Sequence, residues 1–204
     1  MKNKIIAVIG AGGKTTLIHR LAEEYRRKGA SVLVSTTTHM LVEPDTDLSG
    51  DSFAVMEKIK KTGYCMAGAV CPENSAKMQS LPEQMLHDLM KQVDYALIEA
   101  DGAKHYALKY PSEQEPVIPE GTTDVILVLG SWDLGKPCKD VVFRFEHMTS
   151  ALGISGDMKA DKQMLQWIWQ AYEEKLKNMD YQGHFHILLS EKTDQGLMFH
   201  TLEE

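Results

Sequence analysis

Residues 4–16 read KIIAVIGAGGKTT. Ile5, Ile6, Val8 and Ile9 form an apolar, β-branched run of strand length. Gly10, Ala11, Gly12, Gly13, Lys14, Thr15 and Thr16 follow. The periodicity then becomes helical, with Leu17, Ile18, Leu21, Ala22 and Tyr25 on one face. A strand, a glycine-rich turn and a helix opening on Lys-Thr are the parts of a phosphate-binding loop. Glycines let the backbone curl so that successive N–H groups point inward, and the helix start adds its positive dipole end. Lys14 is expected to reach the β- and γ-phosphate oxygens, and the Thr15 hydroxyl to ligate Mg²⁺. The pattern GxxxxGK[ST] puts a further glycine where this chain has Val8. The loop is therefore the tighter GxGGKTT, which wraps a β-phosphate less completely. The nucleotide contacts predicted from this stretch are Gly10, Ala11, Gly12, Gly13, Lys14, Thr15 and Thr16.

The whole chain of 204 residues suits a single nucleotide-binding domain over 1–204 with a sizeable core. With 43% hydrophobic and 25% charged residues, it has the composition of a soluble globular protein. A net charge of −7 argues against a broad nucleic-acid surface. The three cysteines, Cys65, Cys71 and Cys138, read as reduced thiols, and the spacing of Cys65 and Cys71 is too wide for a CxxC pair. Neither a signal peptide nor an apolar run of membrane-spanning length is visible. The expectation is a cytoplasmic protein bound to neither membrane nor nucleic acid.

Along the chain, a helix over Thr15–Lys28 stops at Gly29. Ser31–Ser35 reads as a buried parallel strand ending in Thr36-Thr37-Thr38-His39. Residues 42–53 read as a polar loop, Ala54–Lys61 as a short helix, Tyr64–Gly68 as a strand and Pro82–Lys91 as a helix. Asp94–Glu99 is an apolar strand running into Ala100, Asp101 and Gly102, and alternation puts Glu99 and Asp101 on one side if the strand extends that far. A long irregular insertion covers about 102–121. Asp124–Leu129 reads as a strand, Gly130–Lys139 as turns, His147–Leu152 and Asp161–Lys177 as helices, and His184–Leu189 as a last, edge strand. Strands alternating with helices predict an α/β, three-layer P-loop NTPase-like domain with a mainly parallel sheet.

Such a sheet collects ligand groups at the carboxyl ends of its strands. Three ends carry chemistry: the phosphate loop, Thr36–Thr38, and Glu99 with Asp101. Together they supply phosphate-binding amides and a lysine, hydroxyls for Mg²⁺, and a carboxylate for the metal or its waters. The expected metal set is Thr15, Thr37, Thr38 and Asp101, and the expected catalytic set is Lys14, Asp101 and Glu99. Ser190-Glu191-Lys192-Thr193-Asp194 partly matches the guanine-reading [NT]KxD pattern: Lys192 and Asp194 fit, whereas Glu191 replaces Asn or Thr. The base thus stays open between ATP and GTP. His184 and His186 face one way on a strand without a third ligand. His39 and His105 sit in loops at the predicted active edge, where His105 can handle protons.

VIGAGGKTT, VLVSTTTHM, LIEADGAK and KYPSEQEPVIP, in that order, resemble the selenium-dependent molybdenum hydroxylase accessory proteins of the YqeC-like family. The resemblance runs from Ile5 to Leu129. It implies Gly12, Gly13, Lys14 and Thr15 at phosphate and Mg²⁺, Asp101 near the metal, and Lys109–Pro119 as a family-specific surface. It also implies an accessory role in maturing a hydroxylase that carries molybdenum cofactor and labile selenium, with that enzyme or its maturation proteins as partners. Two other readings stand beside it. The short loop resembles that of Mur and folylpolyglutamate ligases, which suggests an ATP-dependent ligase or small-molecule kinase. The third is a non-catalytic module whose docking surface the nucleotide stabilises.

Overall fold

A computed structural model describes residues 3–202 of the chain. In chain order the elements are β1 (Lys4–Gly10), α1 (Lys14–Arg27), β2 (Val32–Thr36), β3 (His39–Leu41), α2 (Ser52–Thr62), β4 (Tyr64–Met66), β5 (Ala69–Val70), β6 (Lys77–Gln79), α3 (Glu83–Lys91) and β7 (Tyr95–Glu99). Then come β8 (Leu108–Lys109), β9 (Asp124–Gly130), α4 (Cys138–Val141), β10 (Val142–Phe143), α5 (Phe145–Leu152), α6 (Lys162–Asn178), β11 (His184–Thr193) and β12 (Gly196–Thr201). The main sheet has seven strands in the order β12-β11-β9-β1-β7-β2-β4. The β1–β7, β7–β2 and β2–β4 pairings are parallel and β11–β12 is antiparallel. The fold is therefore α/β with a mainly parallel sheet, as the alternation of strand and helix patterns predicts.

Two compact units make up the chain. The first holds β1 up to Val8, the stretch Thr15–Gly102 and Val117–Asp124. In it β7 lies between β1 and β2, with Val8, Glu99 and Thr36 level at the carboxyl ends. Strand alternation sends Ala96 and Ile98 to one face, where they meet Ile5, Leu33 and Cys65 and the helical residues Val55, Ile59, Leu86, Leu89 and Met90. That face is covered by α2 and α3. Asp51 caps α2 by accepting from the Phe53 amide at 2.9 Å, and Gly63, at φ 74°, ends it. This cap starts the helix two residues earlier than the apolar pattern alone suggests.

Tyr95, Leu97 and Glu99 point to the opposite face, and α1 covers it. Tyr25 stacks on Tyr95 with ring centroids 3.7 Å apart, and Thr15 donates to Glu99 at 2.9 Å. From Thr15 to Tyr25 a helix rises about 15 Å, and from Glu99 back to Tyr95 a strand spans about 13 Å. The two lengths match, so α1 runs antiparallel along β7 and is fixed at both ends. At the amino end of β7, Asp94 accepts from the Ser31 amide and hydroxyl at 2.9 and 2.7 Å and ties β2 to β7. A separate antiparallel sheet, β3-β6-β5, belongs to the same unit.

The second unit holds Ile9–Lys14, Ala103–Pro116 and the chain from Val125 onward. Asp161 caps α6 by accepting from the Met164 amide at 3.0 Å, and Met164, Leu165, Ile168, Tyr172 and Leu176 are its buried stripe. The irregular insertion contains β8, which pairs in parallel with β10. The last strand departs from the sequence expectation. It does not stop at Leu189 at a sheet edge: β11 continues to Thr193 and turns back as β12, which takes the edge. The tight connection rests on Thr193, whose hydroxyl donates to the Gly196 carbonyl at 2.8 Å, and on Gly196 at φ 104°.

Candidate functional site

In the second unit, β1 ends in a bend whose three glycines, Gly10, Gly12 and Gly13, have φ of 87°, 86° and 110°. Residues with a Cβ rarely adopt such values. At Gly12 space forbids one as well: a Cβ there would lie 2.5 Å from the Gly130 nitrogen and 2.8 Å from the Ala107 carbonyl oxygen. Three polar contacts hold the bend. The Ala11 amide donates to the Val128 carbonyl at 2.9 Å, the Ser190 hydroxyl donates to the Gly12 carbonyl, and the Lys14 ammonium turns back to the Gly10 carbonyl at 2.9 Å. Lys14 is only 5% exposed. Ser190 was not singled out by its pattern, because its role depends on the distant chain that it touches.

The next residue in the chain, Thr15, belongs to the first unit. Its hydroxyl donates to Glu99 Oε2, and Glu99 is 7% exposed. The last residue of β7 thus places a carboxylate at the helix start. Asp101 is fully buried, past the strand end. Thr36 is buried, and its hydroxyl donates to the Glu99 carbonyl at 2.8 Å while accepting from the Thr38 amide at 3.0 Å. The Thr37 amide and hydroxyl donate to the Glu99 and Val117 carbonyls at 3.1 and 2.7 Å. The structure therefore brings Thr15, Thr36, Thr37 and Glu99 to one end of this sheet. Thr36, the member of the triplet whose hydroxyl faces the sheet, sets the shape of the segment.

Lys192 lies within β11, its ammonium 4.6 Å from the Trp132 ring centre, and Asp194 sits exposed in the hairpin turn. The stretch expected as a loop after the strand is thus mostly strand. His184 and His186 project to the same side, as alternation predicts, with ring centres 6.3 Å apart. His105 is exposed at φ 66°.

The segment Lys109–Pro119 is only partly the surface that the resemblance implies. Glu113 and Gln114 are exposed, whereas Lys109, Pro111 and Pro116 are buried. Glu115 pairs with both the Lys109 ammonium at 2.7 Å and the Arg144 guanidinium at 2.6 Å. Lys104, Lys109 and Arg144 each place a cationic group within 6 Å of the Phe143 ring centre. Arg144 also donates to the Ser112 hydroxyl and has φ 62°. Sequence reading missed Phe143 and Arg144, since nothing in their neighbourhood signals a partner thirty residues away.

Among the described residues no helix is long and apolar enough to cross a membrane. No solved structure matches the chain. A protein of Escherichia coli (strain K12) titled "Uncharacterized protein YqeC" is 32% identical over 159 residues, which are 75% of this chain and 62% of that protein. The chain thus spans less than two thirds of the length of that relative. The family model described as "YqeC protein" matches residues 6–146, a stretch that contains the glycine bend, the threonine triplet, Glu99, Asp101 and the Lys109–Glu115–Arg144 cluster. By that match, which covers more than half of its residues, the chain belongs to the YqeC family.

Proposed function

We propose that this chain is a P-loop protein that binds ATP or GTP with Mg²⁺. The observation that carries this reading is the 2.9 Å hydrogen bond between Thr15 and Glu99. The helix-start hydroxyl and strand-end carboxylate that hold Mg²⁺ in such proteins already face one another, and both are hard oxygen ligands. The glycine bend supports the same reading, because its curled backbone and the start of α1 favour a phosphate group. In this account Lys14 leaves the Gly10 carbonyl and neutralises β- and γ-phosphate charge. Gly10, Ala11, Gly12, Gly13 and Thr16 line the phosphates. Thr15 and Glu99 orient the metal, Asp101 holds its waters, and Thr37 and Thr38 respond to the γ-phosphate. Lys192 and Asp194 are the base-side candidates. When bound, Mg²⁺ would spread the negative charge that phosphoryl transfer develops.

At the level of the cell, the proposal follows the resemblance: nucleotide-dependent help in maturing a selenium-dependent molybdenum hydroxylase, with that enzyme or its maturation proteins as partners. A thermal-shift panel of ATP, GTP, CTP and their diphosphates, with and without Mg²⁺, tests the nucleotide part. A ligand at a hundred times its Kd stabilises the folded state by about 2.7 kcal/mol. One triphosphate is expected to raise the melting temperature in a Mg²⁺-dependent way, and Thr15→Val to remove the Mg²⁺-dependent part. A flat panel rejects the proposal.

A further inference from the structure

The small antiparallel sheet holds a second group of ligand atoms. His39 of β3 and Ala69 of β5 both pair with Gln79 of β6, from opposite sides. Cys71 follows β5 directly. The chain then turns sharply: the Asn74 amide donates to the Cys71 carbonyl at 3.2 Å, the Asn74 side chain accepts from the Ala76 amide at 3.0 Å, and the Lys77 amide donates to the Asn74 carbonyl at 2.9 Å. This turn sets Glu73 beside Cys71. One imidazole nitrogen of His39, the Cys71 sulfur and one carboxylate oxygen of Glu73 all lie within 4.8 Å of one another. Cys71 is a free thiol and 3% exposed, while His39 and Glu73 are exposed.

We propose that His39, Cys71 and Glu73 form a binding site for a divalent transition metal of the zinc class, with its fourth position open. The donor set decides the class. Thiolate, imidazole and carboxylate together suit Zn²⁺ and Co²⁺, whereas Mg²⁺ and Ca²⁺ take oxygen ligands alone. Around a tetrahedral ion with zinc-like bond lengths, ligand atoms stand about 3.5 Å apart. The present spread needs a contraction of about 1 Å, which rotation of the two exposed side chains supplies. Binding forms a metal–sulfur bond and releases the thiol proton to solvent. Three protein ligands leave room for water or a ligand from a partner, the pattern of reactive rather than purely structural zinc. The sheet also gains from such a clamp, because its strands are two or three residues long and short sheets of this kind are marginal alone. His39 directly follows Thr38, so the site borders the threonine triplet in the chain. The inference does not depend on nucleotide binding.

The test is titration of the metal-free, tag-free full chain with Co²⁺. One equivalent is expected to produce a near-ultraviolet thiolate-to-cobalt charge-transfer band that Zn²⁺ abolishes. Cys71→Ser should lose the band and Cys65→Ala should keep it. His39→Gln and Glu73→Gln, both at exposed positions, should fold as the parent does by circular dichroism. Each should bind at least about tenfold more weakly, since even outer-sphere partners are worth 10–100-fold. Absence of the band at one equivalent, its persistence in Cys71→Ser, or unchanged affinity in both exposed variants overturns the site. Should Cys71→Ser fail to fold, the two exposed variants decide.

Discussion

Replacing Gly12 with alanine adds one methyl group and tests the geometry of the bend directly. Two costs add. A residue with a Cβ held at φ 86° loses about 1–2 kcal/mol to left-handed strain. The new Cβ would also stand 2.5 and 2.6 Å from the Gly130 nitrogen and Cα and 2.8 Å from the Ala107 oxygen. All three are backbone atoms and cannot swing aside, and forced overpacking costs about 1–3 kcal/mol. Gly29→Ala isolates the first term, since Gly29 has φ 80° and a Cβ there meets nothing within 4 Å. The difference between the two variants is therefore the collision alone, about 1–3 kcal/mol. Urea unfolding followed by tryptophan fluorescence measures it. At an m of about 2 kcal/mol/M, Gly12→Ala should unfold at a midpoint roughly 0.5–1.5 M below that of Gly29→Ala. Equal midpoints would refute the close approach of this bend to Gly130 and Ala107.

Other consequences can be checked separately. The Ser31 amide, and then its hydroxyl, hold the Asp94 carboxyl below its ordinary value. A depressed carboxylate stabilises above its unfolded pKa of about 3.9, and that share is lost as pH falls through the lower folded value. The stability gap between wild type and Asp94→Asn should therefore be full at neutral pH and close on acidification below about 4; a gap that widens in acid would contradict this. Glu115→Gln removes the carboxylate that pairs with both the fully buried Lys109 and Arg144 and should cost about 3 kcal/mol by denaturant unfolding. Burial pushes the Cys65 thiol up to about 11, so at pH 8 it should resist maleimide in the native protein and react after unfolding.

The parts of the fold written in local pattern could be read directly. The apolar run before Gly10, the helical stripe after it and the alternation in Asp94–Glu99 placed β1, α1 and β7 to within a residue or two. Period-two alternation put Glu99 and Asp101 on one side only if the strand reached Asp101, and β7 ends at Glu99. The hairpin at the end was hidden, because Glu191-Lys192-Thr193 is charged and carries no apolar run, even though its pairing with Gly196–Met198 is local. Short strands such as β5 and β6 give too few residues for any period to show. The meeting of His39, Cys71 and Glu73 was illegible for the same reason: it depends on register across three such strands. Lys109 looked like a surface lysine because its partners, Glu115 and Arg144, converge only in the folded unit.

Nucleotide binding by the glycine bend is the claim on which the functional account turns, and isothermal titration calorimetry tests it most directly. Wild-type protein should bind ATP or GTP in the presence of Mg²⁺ at one site per chain, and Lys14→Ala, still folded by circular dichroism, should bind neither. Equal affinity in the two proteins, or no heat with any triphosphate in the wild type, would contradict it.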